Sequence, residues 1–146
     1  MIRVSIQPAP IDLGTEIAGV EAKGAGAIAS FTGTVRGDDG VTELLLEHYP
    51  GMTEGALVAL AEEAMVRWEL MAVTMVHRVG SMEPGDRIVF IATAAAHRAA
   101  ALDSCAYLID RLKTDAPFWK RERRGDSATW VEARDSDTAA AERWGK

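Results

Sequence analysis

The sequence predicts an α+β fold: a mainly antiparallel, hairpin-connected sheet with two main helices packed on it. Short strand-like runs outnumber helical ones, and most are separated by Pro- or Gly-bearing turns rather than by helices. Only two long stretches keep a helical apolar period. No repeat and no linker-like composition interrupts the chain, so residues 1–146 are expected to form a single domain.

Ile2 to Ile6 alternates apolar and polar residues and predicts a first strand, ended by Pro8 and Pro10. Asp12 to Ala22 predicts a short helix, with Asp12 near its start and Gly24 as its stop. Ala25 to Val35 is a strand of small apolar residues. Val41 to His48 is its expected hairpin partner across the turn Arg36-Gly37-Asp38-Asp39-Gly40. Thr53 is expected to cap a helix reaching Trp68, with Leu57, Leu60, Ala61, Ala64 and Met65 on its inner face. Met71 to Val79 and Arg87 to Ala95 predict two strands joined through the turn Glu83-Pro84-Gly85-Asp86. A long helix is expected over Ala96 to Thr114. A hairpin around Gly125 then pairs Phe118–Arg123 with Thr129–Ala133, and a short helix covers Ser136 to Trp144.

At 48% hydrophobic and 26% charged residues the chain falls in the globular range, which excludes a disordered protein. A net charge of -6 speaks against nucleic acid as the main partner, because phosphate backbones need a basic face. The four tryptophans are therefore read as core or interface anchors. Acidity is uneven, however. Between Arg111 and Arg124 stand six basic residues against only Asp115 and Glu122, a strip suited to a small anion or a partner's carboxyl terminus. The single cysteine, Cys105, allows no internal disulfide and reads as a small buried hydrophobe. No apolar run approaches the ~18 residues of a membrane span. Met1 to Val4 lead straight into a strand pattern with no signal-peptide layout, so a cytoplasmic location is expected.

The most informative segment is Leu112-Lys113-Thr114-Asp115-Ala116-Pro117-Phe118-Trp119-Lys120. The chain carries twelve arginines and only four lysines. Two of those lysines, Lys113 and Lys120, flank a proline that forbids one continuous helix. An amine can lose its proton and act as base or nucleophile, whereas a guanidinium cannot. The pair therefore points to amine chemistry. A plainer alternative is a helix C-terminus whose lysine offsets the dipole, followed by an exposed basic strand.

Other candidates follow from their place between elements. His97 and Arg98 open the long helix, where free N–H groups favour an anion. Arg36 ends a strand beside Gly37 and can fork onto an oxyanion. Both also fit ordinary solvated charges. The three histidines lie far apart with no cysteine pair or carboxylate set beside them, so no metal site is expected. Phosphate loops, dinucleotide fingerprints and nucleophile elbows are absent from the sequence. Arg98 and Lys113 lie fifteen residues apart on one helix, a separation of roughly 22 Å at 1.5 Å per residue. One small-molecule pocket cannot use both from one chain. Either two sites exist, or a two-fold dimer brings one copy's helix start to the other's helix end. On the helical wheel Arg98 aligns with Leu102, Cys105, Ile109 and Leu112, a stripe expected to border buried surface.

Several blocks together carry a resemblance. Phe31-Thr32-Gly33-Thr34-Val35-Arg36, Glu47-His48-Tyr49-Pro50-Gly51-Met52-Thr53, His77-Arg78-Val79-Gly80, Ala96-His97-Arg98, Leu112-Lys113-Thr114 and Ala116-Pro117-Phe118-Trp119-Lys120-Arg121-Glu122 run collinearly, followed by Trp130 to Arg134. The chain closely resembles the catalytic large subunits of molybdopterin synthase over about residues 25–144. That resemblance implies a dimeric, α/β hammerhead-like fold and a sulfurtransferase of molybdenum cofactor biosynthesis. It implies a homodimer within a heterotetramer, with a small ubiquitin-like sulfur carrier at each end. The carrier's C-terminal Gly-Gly thiocarboxylate would donate sulfur to cyclic pyranopterin monophosphate, two transfers making the molybdopterin dithiolene.

By the same resemblance Lys113 and Lys120 are catalytic and also contact substrate. Thr34, Val35, Arg36, His97, Arg98, Arg121 and Glu122 bind substrate, with Phe31 and Arg134 as further candidates. No metal or other cofactor is implied, and neither nucleic acid nor membrane is an expected partner. The chemistry suits these residue types, because substrate phosphate and incoming chain end are both anionic. Crowded positive groups also favour a neutral amine. The loop Gly37–Gly40 is shorter than usual in that family, and Asp115 stands where a basic residue is common. A non-catalytic anion-binding or scaffold dimer, holding a ubiquitin-like partner, is the alternative.

Overall fold

The computed structural model describes residues 1–21, 24–131 and 135–145. Its first half runs β1 (Ile2–Gln7), α1 (Leu13–Val20), β2 (Ala27–Thr34), β3 (Glu43–His48) and α2 (Met52–Trp68). The second half continues with β4 (Ala72–Arg78), β5 (Gly80–Met82), β6 (Arg87–Ala95), α3 (Arg98–Asp115), β7 (Phe118–Arg124), β8 (Ser127–Val131) and α4 (Asp135–Glu142). The class is α+β as expected, with the strands divided between two four-stranded sheets of order β1-β4-β6-β2 and β5-β3-β7-β8. Pairing is antiparallel except between β1 and β4, which run parallel.

In the first sheet β4 and β6 are central and apolar almost throughout, because both of their faces are covered. On one side lie α2 and α3, which bring Leu57, Leu60, Ala61, Ala64, Ala101, Leu108 and Leu112 into the main core. Across the sheet Val76, Phe90, Ala92 and Ala94 pack with Ile11 and Val20. Asp12 caps α1, its carboxylate accepting from the Thr15 N–H at 3.2 Å. That helix ends at Val20, earlier than the sequence suggests.

Three expectations are corrected. The strand at 43–48 is no hairpin partner of β2. It pairs with β5 and β7 in the second sheet, while β2 pairs with β6. The cause is local: Val35 at the end of β2 donates to the Asp86 carbonyl and accepts from Gly85 N–H. With its bonds used there, the chain is redirected through a short 3-10 turn at Asp38–Gly40. Second, α2 is entered through Gly51 at φ 82, and Thr53 lies inside the helix with its hydroxyl committed elsewhere. Third, the buried stripe of α3 is Ala101, Ser104, Cys105, Tyr107, Leu108 and Leu112. Cys105 and Leu112 of the expected stripe are buried, but Leu102 is 60% exposed and Arg98, at the first position of the helix, is exposed as well.

Candidate active site

Where the end of β2, the 3-10 turn, the end of α3 and β7 converge, they enclose a cleft of about 780 Å³. β2 supplies Phe31 to Thr34, and Val35 and Arg36 follow directly. A β-bulge between Gly33 and Thr34 re-aims this segment, since Gly33 pairs with Val89 while Thr34 pairs with Arg87. Gly33 is required by crowding, as a Cβ there would lie 2.7 Å from the Val89 Cγ1. The Arg36 guanidinium approaches the Asp38 carboxylate at 3.7 Å, in the open. Arg124 Nε donates to the Asp39 carbonyl at 2.9 Å and so ties the 3-10 turn to β7.

Lys113 lies in the last turn of α3, where its charge complements the helix C-terminus. Only Ala116 and Pro117 separate that helix from β7. Strand alternation then puts Lys120, Glu122 and Arg124 on the cleft side. The lining thus opposes the cations Arg36, Lys113, Lys120 and Arg124 to the acids Asp38, Asp39 and Glu122, above the apolar floor of Leu44 and Ile88. Amines and guanidinium groups converging on one cleft can neutralise an anionic substrate and move a proton beside it.

Of the residues singled out from sequence, Phe31, Thr34, Val35, Arg36, Lys113, Lys120 and Glu122 meet in this cleft. Arg121 is turned to the opposite face of β7, its guanidinium 5.6 Å from the Trp130 ring. His97 flanks α3 at its start and Arg98 is its first residue, both exposed at the end remote from Lys113 and outside the cleft lining. Arg134 lies outside the described residues. Sequence reasoning missed Arg124, Asp38 and Asp39 as lining groups. Arg124 was legible, standing two and four strand positions beyond Glu122 and Lys120.

His77, on β4, stacks on Phe118 with ring centroids 4.1 Å apart. Its Nδ1 lies 2.9 Å from the Arg78 carbonyl, which can only accept, so in the neutral ring Nδ1 carries the proton. Burial pushes its pKa down to about 4; Lys113, Lys120 and His48 push the same way, against the Arg78 carbonyl. Above its ordinary value of 6.5 the ring is neutral in folded and unfolded chains alike. Below that, the unfolded chain takes up a proton that the folded one resists until about pH 4, so stability falls with pH through this window. Urea unfolding at pH 7 and 4.5 should therefore show the wild type losing about 2–3 kcal/mol more than His77→Phe. Equal losses would remove His77 as the acid-sensitive group.

Cys105 is buried and its thiol is pushed up to about 11, so it is no nucleophile at neutral pH. Among the described residues no group of three or more His, Cys, Asp or Glu is placed to hold a metal ion. Among them, too, no helix is long and apolar enough to cross a membrane.

Two lysines and two arginines lining one cleft give it the charge to hold a small anionic ligand. The family model described as MoaE protein matches residues 6–115. A curated relative from Salmonella typhimurium, named molybdopterin synthase catalytic subunit, is 49% identical over 146 residues, covering 97% of this chain and 97% of the relative. Among solved structures, the molybdopterin biosynthesis MoaE protein from Burkholderia ambifaria superposes with a TM-score of 0.86 at 49% identity, covering 100% of this chain and 99% of that one. Molybdopterin synthase from Staphylococcus aureus gives 0.82 at 32% identity, over 87% of this chain and 95% of that one. The chain belongs to the MoaE protein family.

Proposed function

We propose that this protein is the catalytic subunit of a molybdopterin synthase, acting as one domain over residues 1–146. It transfers sulfur from the C-terminal thiocarboxylate of a small ubiquitin-like carrier to cyclic pyranopterin monophosphate in the cytoplasm. The observation that carries this assignment is the convergence of Lys113, Lys120 and Arg36 on one cleft beside the bulged Thr34–Arg36 segment. Arg36 and Arg124 offset the substrate's phosphate, and Lys113 and Lys120 receive the anionic carrier terminus and exchange protons with the reacting groups. Glu122 keeps the cluster from being uniformly cationic. Two transfers complete the dithiolene, and the cyclic phosphate opens on the way.

His97 and Arg98 complete the site from a second copy, since within one chain they stand roughly 22 Å along α3 from Lys113. A homodimer with a carrier at each end follows. The deciding experiment incubates the protein with thiocarboxylated carrier and the cyclic precursor. Molybdopterin should appear with two carriers consumed per product. A stable complex that forms no product would instead favour a scaffold.

A further inference from the structure

We propose that Thr53 and His77 are positioning residues for Lys113 and Lys120, clamping the short link between them so that both amines face the cleft. The proposal rests on the assignment of the two lysines as the catalytic pair. α3 ends at Asp115 and β7 starts at Phe118, so the relative placement of the lysines is set by Ala116 and Pro117. Ala116 N–H closes the helix on the Leu112 carbonyl at 3.3 Å, and Pro117 has no N–H to tie itself down.

The Pro117 carbonyl is held by the Thr53 hydroxyl, which donates to it at 2.8 Å. The Thr53 hydroxyl oxygen in turn accepts from the Tyr49 N–H at 3.0 Å. Its one proton and a lone pair are thus both committed, and Thr53 is 0% exposed. One residue further on, the Phe118 ring is stacked by His77, which is 4% exposed. Thr53 comes from α2 and His77 from β4, so the link is fixed to two separate elements at successive residues. His48, opposite Phe118 in the β3–β7 ladder, completes the surroundings.

A buried hydroxyl at Thr53 is a costly choice where packing alone is needed, since valine would fill the same volume, whereas at His77 it is the ring stacked on Phe118 that does the holding. Polar groups committed in this way specify one arrangement. His77 is also held neutral, so it adds no further positive charge beside Lys113, Lys120 and His48. A misplacement of about 1 Å at a reacting group can cost ~100-fold in rate, so a fixed link matters for turnover.

The test compares product formation by the complex with thiocarboxylated carrier for wild type, Thr53→Val and Thr53→Ser. Thr53→Val should keep its circular dichroism and its KM for precursor while turnover falls roughly 10- to 100-fold. Thr53→Ser, which keeps the hydroxyl, should restore most of that loss. Lys120→Ala should then cost far less in the Thr53→Val background than in wild type, because a displaced amine has little left to lose. Should Thr53→Val not fold, His77→Ala against His77→Phe reads the same clamp: turnover falls in the first and returns with the ring. Multiplicative effects of Thr53→Val and Lys120→Ala, or wild-type turnover in Thr53→Val while Lys120→Ala is inactive, overturn the clamp alone. Full turnover in Lys120→Ala overturns the lysine assignment beneath it.

Discussion

Lys113→Arg and Lys120→Arg are each expected to give a folded protein whose product formation is reduced at least ~100-fold, the usual scale of a lost general acid or base. Arginine keeps what the fold needs from either position. At 113 it still places a cation in the last turn of α3. At 120 it still fills a strand position paired with Leu46 on one side and Val131 on the other. What it removes is an amine, which can act as base or nucleophile where a guanidinium cannot. With twelve arginines against four lysines, and two of the four lining one cleft, charge alone does not explain the residue type. Thermal unfolding within a few degrees of wild type, alongside lost conversion of precursor, is the predicted pair of results. Near-normal turnover in both variants would sink the amine mechanism while leaving anion binding intact.

Much of the fold was legible because its punctuation is strong. Pro8 and Pro10 end β1, Glu83–Asp86 precedes β6, Gly125 turns the β7–β8 hairpin, and two amphipathic stretches give α2 and α3. Strand partners were not legible. Alternation in β3 shows that Leu44 and Leu46 share a buried face, yet cannot say which strand lies alongside. The choice was made by Val35, whose backbone bonds to Gly85 and Asp86 stop β2 from folding back. β5, three residues long, is too short for any periodicity. The lysine pair was legible as an unusual residue choice, and Pro117 marked the break between helix and strand, but that the break brings both lysines to one cleft was not. His77 gave no signal: a histidine inside an apolar strand reads the same whether it is packed or functional. The acidic lining from Asp38 and Asp39 was hidden in what looked like a hairpin turn.

Mixing two inactive chains, Arg98→Ala and Lys113→Ala, is expected to restore about a quarter of wild-type activity if sites are shared across a two-fold dimer. α3 is continuous from Arg98 to Asp115, so the two side chains cannot meet within one copy. The cleft accordingly holds Lys113 without His97 or Arg98. Leu102, one turn from Arg98 on the same face, is an exposed apolar side chain of the kind a second copy covers. In a mixed dimer one site draws Lys113 from the Arg98→Ala chain and Arg98 from the Lys113→Ala chain, and both groups are wild type. The other site lacks both. Random exchange makes about half the dimers mixed, each with one working site of two, which gives the quarter. Product formation after subunit exchange, against each variant alone, is the measurement. Heterodimers that form and stay inactive would exclude the shared site, and leave His97 and Arg98 to a role away from the lysine cleft.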